Sequence, residues 1–333
     1  MIELHDPFPT AGVPYYAGKR IGVTGATGLI GSYVVKLLRE SGAHVIAFVN
    51  RRPRNPFTEK ADQVLYADLA SDSGLTALNC GLDALLHCAG ITGGVNLPSI
   101  DPVSYVGPAT AMNINVLHAC HKYKVPAFAF LSSTTVYPPS EWPVIEEDAG
   151  KDEPYRLYRG IAKSKFWFEQ LCKYYQETTG INTSIIRPAG AYGRFDNFDE
   201  KTSHVLPGMV ERAIRCAEEN ASTFEVWGDG NDIRDFIHAQ DVAMYMLLAT
   251  AKHAVSDPIN AASGKDRTIG ELARTVLSAA DCNAEIKFDP SKPSALKRRS
   301  VSIKKAKELL GYEPQISLAD GILDVVKWRK LNK

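Results

Sequence analysis

The segment that most narrows what this chain can become is Thr24-Gly25-Ala26-Thr27-Gly28-Leu29-Ile30-Gly31. A short apolar run, 20–24, leads into it, and a helical pattern over 29–41 follows. Three glycines at this spacing each have a use at a strand-to-helix turn. Gly25 permits the tight turn, Gly28 lets an anion approach backbone N–H groups at a helix N-terminus, and Gly31 lets that helix lie close to the sheet. The ligand expected on such a turn is a dinucleotide pyrophosphate. The same rhythm continues, with strands expected at 43–49, 63–67, 82–87, 127–131 and 182–186 and long helices at 109–123 and 159–178. Strands alternating with helices make a parallel sheet with crossovers, so the fold class is α/β, a doubly wound Rossmann-type sheet.

After Arg187 the rhythm breaks into Gly-, Asp- and Asn-rich loops punctuated by prolines. The chain therefore divides into an N-terminal extended arm (1–18, with Pro7, Pro9, Pro14 and two tyrosines), a dinucleotide-binding domain (19–187) and a stretch (188–333) that is mainly a smaller α+β substrate-binding lobe. Some segments of that last stretch are expected to return to the larger domain. Lys plus Arg and Asp plus Glu number 38 each, so the net charge is zero, which argues against nucleic acid or a membrane surface as partner. No apolar run reaches membrane-spanning length, and the first residues lack a basic segment followed by an apolar one. The six cysteines are scattered, without a CxxC pair or a histidine at metal spacing, so free thiols, no metal site and a cytoplasmic location are expected.

The second strand decides between cofactors. An NAD site calls for a carboxylate at its end to accept from the ribose hydroxyls, but here the strand ends Val49-Asn50-Arg51-Arg52. Guanidinium groups match a 2′-phosphate in charge and fork geometry, so Arg51 and Arg52 favour NADP(H), with NAD(H) the alternative. Asp68, followed by Leu69, is placed to accept from the adenine amino group. His87-Cys88-Ala89-Gly90 ends the fourth strand beside the pyrophosphate, where Ala89 and Gly90 leave room; His87 reads equally well as a packed strand-end histidine.

Several stretches together resemble the extended short-chain dehydrogenase/reductases, the NAD-dependent epimerase/dehydratase family, and within it the GDP-L-fucose synthases. They are Phe130-Leu131-Ser132-Ser133-Thr134-Thr135-Val136-Tyr137-Pro138, Gly193-Arg194-Phe195-Asp196-Asn197-Phe198, Ser203-His204-Val205, Val226-Trp227-Gly228-Asp229-Gly230, Arg234-Asp235-Phe236-Ile237-His238 and Phe288-Asp289-Pro290-Ser291-Lys292-Pro293. The resemblance implies a nucleotide-sugar substrate, Ser133 as the catalytic serine, Lys165 as the catalytic lysine, and Pro188, Thr27, Leu29 and Ile30 beside the cofactor. It also implies Asn197, His204, Val205, Trp227, Arg234, Lys292 and Arg298 at the substrate, and a homodimer built on the two long helices. The second of those helices carries Phe166, Trp167, Phe168, Leu171 and Tyr174, more apolar surface than one sheet-facing stripe requires.

One position departs from the family. Its Tyr-x-x-x-Lys places a phenol that exchanges a proton with the sugar oxygen, with lysine lowering the phenol's pKa. Four residues before Lys165 stands Ile161, which has no proton to give; four before Lys163 stands Arg159. Tyr158 lies one helical turn before Ile161 on a similar face, and is either a displaced proton donor or an aromatic at the helix start. Thr134 and Thr135 occupy the positions where dehydratases carry Asp-Glu, and Thr135 the position of an epimerising cysteine, for which a threonine hydroxyl is too weak an acid. His204 matches the second epimerisation residue. Two functions are therefore weighed: an NADP(H)-dependent reductase or epimerase acting on a nucleotide sugar, GDP-linked by the resemblance, and a binding protein with impaired catalysis in a regulatory or scaffolding role. The stretch 291–307 carries seven basic residues and no acid, part of which should face a diphosphate.

Overall fold

The computed structural model describes residues 7–91, 103–200, 202–292 and 296–332. Seven parallel strands form the central sheet: β1 (Arg20–Thr24), β2 (His44–Val49), β3 (Gln63–Tyr66), β4 (Ala84–His87), β5 (Ala127–Leu131), β6 (Asn182–Pro188) and, much later in the chain, β10 (Ile259–Ala261). Their order is β10-β6-β5-β4-β1-β2-β3. Strand alternation builds a core on each face. Val45 and Ala47 of β2 join the cluster beneath α1 (Leu29–Glu40) and α6 (Ala239–Lys252), while Ile46 and Phe48 face the cluster beneath α3 (Val106–Lys122) and α4 (Arg159–Thr179). A single turn, α2 (Asp72–Thr76), is capped by the Ser71 hydroxyl.

The second half builds its own core. Strand β9 (Ile233–His238) pairs with β7 (Gly190–Tyr192), β11 (Asp266–Thr268) and β13 (Arg298–Arg299), and β8 (Thr223–Trp227) pairs with β12 (Glu285–Asp289). Helices α5 (Val205–Glu218), α7 (Ile269–Ala280) and α9 (Leu318–Leu331) close over them. Segments α6, β10 and α8 (Lys304–Leu310) return to the large sheet, where Ala306 and Leu310 join the α1–α6 cluster.

Three local differences from the sequence expectation have physical reasons. The arm is not extended throughout. Pro14–Tyr16 is a 3-10 turn, Tyr16 is fully buried, and its hydroxyl donates to Leu247 O at 2.8 Å, anchoring the arm to α6. Helix α3 begins at Val106, before Pro108, because a first-turn N–H has no intrahelical partner to lose. Strand β6 runs on to Pro188 because β10, over seventy positions later, pairs Asn260 with Arg187 and Ala261 with Pro188.

Candidate active site

At the end of β1, Gly25 has φ +63°, and a Cβ there would lie 2.6 Å from Ala89 N. A Cβ on Gly31 would lie 2.1 Å from Gly25 O, so this packing of helix on turn requires glycine. Gly28 is the N-cap of α1; it supplies no capping side chain, and the first turn holds no acid. The leading N–H groups of α1 are thus left for an external anion, with Thr27, Leu29 and Ile30 around them. Ala89 N donates to Thr24 Oγ1 at 3.3 Å, holding the Ala89-Gly90 segment against the turn. His87 is buried. Its Nδ1 lies 2.7 Å from Thr24 Oγ1 and its Nε2 3.0 Å from Asn113 Oδ1, and burial lowers its pKa to about 4. Both ring nitrogens are engaged, so this histidine ties β1, β4 and α3 together.

Beyond β2, the Tyr66 hydroxyl donates to Asn50 Oδ1 at 3.0 Å, and Asn50 Nδ2 lies 3.5 Å from Asp68 Oδ1. Asp68 also accepts from Ala70 N, and Leu69 is buried below it. Arg51 and Arg52 are exposed at this rim. Arg52 also acts on Asp196, a carboxyl that burial raises to about 7.

The end of β5 meets the start of α4. Ser133 caps a 3-10 turn, its Oγ accepting from Thr135 N at 3.1 Å, and Thr135 Oγ1 is buried with no hydrogen-bond partner among the described residues. Lys165 Nζ donates to Leu131 O at 2.8 Å and Ser132 O at 3.0 Å; desolvation lowers its pKa to about 8 against the pull of Glu169. Lys163 points the other way, to Glu153 at 2.7 Å, and Arg159 meets the same carboxylate at 3.5 Å. Ser164 is hydrogen-bonded to Thr110 of α3. Ile161 is partly buried. Tyr158, the N-cap residue of α4, turns toward the smaller lobe, where the Arg299 guanidinium sits 5.5 Å from its ring centroid.

Behind this site lies a polar network that sequence reasoning missed. Glu169 accepts from Arg187 Nε at 3.0 Å and Nη2 at 2.6 Å and from the Ser132 hydroxyl, all buried. Arg187 Nη1 donates to Tyr137 Oη at 2.9 Å and to Glu146 O at 2.7 Å, and the Tyr137 hydroxyl donates to Asn260 Oδ1 at 2.6 Å. Nothing local in the sequence marks these partners, which come from α4, β6, β10 and a loop.

In the smaller lobe, Asn197 organises its own loop through Thr202 Oγ1 and Asp199 N. His204 and Val205 are exposed at the start of α5. Trp227 is half exposed, with Lys292 Nζ 5.9 Å from its ring centroid. Arg234 donates to Ile233 O at 2.7 Å and lies 3.4 Å from Asp232 Oδ2. The next residue, Asp235, accepts from Ser263 N and Gly264 N at 2.8 Å each and so holds the β10–β11 turn. The basic stretch divides by partner. Lys297 pairs with Asp229, Arg298 with Asp266, Lys304 with Glu308, Lys305 with Asp257 and Lys307 with Glu313, whereas Lys292 and Arg299 face aromatic rings.

Among the described residues no helix is long and apolar enough to cross a membrane, and no group of three or more His, Cys, Asp or Glu is arranged to hold a metal. The NAD dependent epimerase/dehydratase family model matches residues 21–262. A dTDP-4-dehydro-6-deoxy-D-allose reductase from Streptomyces sp is 28% identical over 331 residues, spanning 96% of this chain and 98% of that one. The GDP-L-fucose synthase of Escherichia coli K12 is 26% identical, spanning 93% and 96%. Among solved structures, a UDP-glucose 4-epimerase from Thermotoga maritima with UDP-glucose superposes with a TM-score of 0.82 at 23% identity, covering 94% of this chain and all of that one. A GDP-L-fucose synthetase from Naegleria fowleri bound to NADP gives 0.80 at 23%, covering 95% of each. With the glycine turn, the seven-stranded sheet and this match over most of its length, the chain belongs to the NAD dependent epimerase/dehydratase family, the extended short-chain dehydrogenase/reductases that include nucleotide-sugar epimerases and reductases.

Proposed function

We propose that the protein is an NADP(H)-dependent enzyme acting at a sugar carbon of a nucleotide sugar, GDP-linked by preference, by reduction or epimerisation. The observation that carries the reading is the junction of β5 and α4, where Ser133 and the desolvated Lys165 ammonium converge at the carboxyl end of the sheet. Ligands of doubly wound sheets bind at that end. The residues present fit a dinucleotide: the turn has no room for side chains at Gly25 and Gly31, and the uncapped α1 N-terminus suits a pyrophosphate. When bound, the cofactor supplies or accepts hydride. Arg51 and Arg52 would hold a 2′-phosphate, and Asp68 the adenine amino group. Lys165, already hydrogen-bonded to two carbonyls, keeps its head fixed at the site, and Ser133 offers a hydroxyl to the substrate oxygen. Tyr158 is the nearest phenol on this helix to the position Ile161 leaves vacant, and we assign it the proton transfer. Arg234 would meet the diphosphate with its fork, and Trp227 with Lys292 would take the base.

Ile161 favours a second reading, in which cofactor and nucleotide sugar bind but turnover is impaired and the role is regulatory or structural. Loss of a general acid costs about 10² to 10⁴ in rate. The test is NADPH oxidation with a panel of 4-keto nucleotide sugars. On the enzyme reading, Tyr158→Phe cuts turnover at least about tenfold with substrate affinity nearly unchanged. On the second reading Tyr158→Phe changes little, and Ile161→Tyr raises turnover. Two exposed aromatics of α4, Trp167 and Tyr174, support a homodimer on the α3–α4 face, and six free cysteines support a reducing, cytoplasmic setting.

A further inference from the structure

Lys165 and Tyr158 share the first turns of one helix but have different charged neighbours. Lys165 faces backbone carbonyls, with Glu169 behind it. Tyr158 is faced by Arg299 of β13, by Arg234 of β9, by Tyr155 of its own turn and by Tyr105, just ahead of α3. Strands β13 and β9 run parallel with Arg299 opposite Arg234, so the two guanidinium groups leave the sheet on the same face. Arg298, one residue earlier, points to the other face and is spent on Asp266. Arg234 is partly answered by Asp232. Among the described residues Arg299 has no such answer: its Nη2 is buried without a hydrogen-bond partner there, and burial lowers its pKa to about 10, with the phenol of Tyr158 opposing and Arg234 adding to the fall. A desolvated cation with no counter-ion among the described residues is costly, and the ring of Tyr158 is the group that lies against it.

We propose that Arg299, with Arg234, does for Tyr158 what a lysine does for the usual tyrosine of this family: it sets the proton affinity of the phenol and ties it to occupancy of the arginine pair by a phosphate group. The inference rests on the reading above, in which a substrate diphosphate meets Arg234. The sign follows from charge. Burial holds the Tyr158 phenol above its ordinary pKa, and the two guanidinium groups pull it down by stabilising phenolate. A bound diphosphate cancels that pull, so the phenol keeps its proton more firmly; by linkage, a phenolate weakens anion binding. Arg299 is thus a positioning residue that couples substrate anchoring to the protonation of the donor.

The experiment needs no turnover. Full-length protein labelled with ¹³C at the tyrosine ring carbon bearing oxygen is titrated by NMR, with Tyr158→Phe identifying the resonance. The parent, Arg299→Gln and Arg299→Lys are each titrated with and without inorganic pyrophosphate, and NADPH binding by fluorescence confirms the fold of each variant. Arg299→Gln should raise the Tyr158 midpoint by about one pH unit, pyrophosphate should raise it in the parent and by less than half as much in Arg299→Gln, and Arg299→Lys should restore most of both effects. Equal midpoints in parent and Arg299→Gln, or a pyrophosphate effect that the substitution leaves intact, would overturn the proposal. So would a parent Tyr158 resonance that shows no titration before the protein unfolds. An inactive protein with the expected shifts removes the enzyme reading and keeps the coupling; an active one with unmoved midpoints does the reverse.

Discussion

Replacing Glu169 with alanine should cost the fold more than almost any other single change near the site. Arg187 and Glu169 are 2% and 1% exposed and share two hydrogen bonds. Removing the carboxylate leaves the guanidinium with only Tyr137 Oη and Glu146 O, deep in the protein, and leaves the Ser132 hydroxyl without its acceptor. A buried ion broken this way costs about 3–5 kcal/mol, and the lost Ser132 bond about 1 kcal/mol more. Against a typical total of about 5–15 kcal/mol that is a large share. Urea unfolding followed by circular dichroism measures it. Glu169→Met combined with Arg187→Leu should lose much less, because no charge is stranded. A second consequence reaches Lys165. Glu169 favours its ammonium, so without the carboxylate Lys165 deprotonates below its present value of about 8, and ligand binding that needs the ammonium fails at lower pH. Unfolding of Glu169→Ala within about 1 kcal/mol of the parent would refute the reasoning, since that cost fits only a solvated, weakly coupled pair.

Substituting Arg51 and Arg52 together by alanine should remove most of a preference for NADPH over NADH in a binding titration; tighter NADH binding in the parent would contradict the assignment. Trp167 and Tyr174 are 50% and 59% exposed, so Trp167→Glu with Tyr174→Glu should turn a dimer into a monomer by light scattering, and a monomeric parent would end that reading. Cys216 and Cys282 have sulfurs 3.3 Å apart, so diamide should oxidise this pair to a disulfide before it touches buried Cys120 or Cys172, with peptide mass mapping as the check.

What the sequence made legible were local patterns. The glycine turn, strand alternation and long helices depend on residues near one another in the chain, so a parallel sheet and the succession of its first six strands along the chain could be read directly. The docking of Tyr16 on α6 and the pairing of β10 with β6 depend on partners far along the chain, and no local pattern announces them. Glu169 and Arg187 are the sharper example. In the sequence Glu169 is marked only by its four-residue spacing from Lys165, which the resemblance uses to choose that lysine, and only burial between β5, β6 and α4 joins it to Arg187 in a network that holds the strand end bearing Ser132 and Ser133.

The basic stretch 291–307 shows how far composition can go. Its excess of charge suggests an anion, yet five of its seven cations are matched by acids that lie outside the stretch. Which of its two arginines lacks an acid partner among the described residues follows from the register of a two-residue strand. Neighbours on a strand point to opposite faces, so Arg298 reaches Asp266 while Arg299 lies beside Arg234 and over Tyr158. A slip of one residue would exchange the two, giving Arg298 the phenol and Arg299 the carboxylate. The departure at Ile161 and the unmatched Arg299 are therefore connected through one ring. The helix that lacks tyrosine at its usual position carries a phenol three residues earlier, and the smaller lobe places against that phenol a guanidinium that has no acid partner among the described residues.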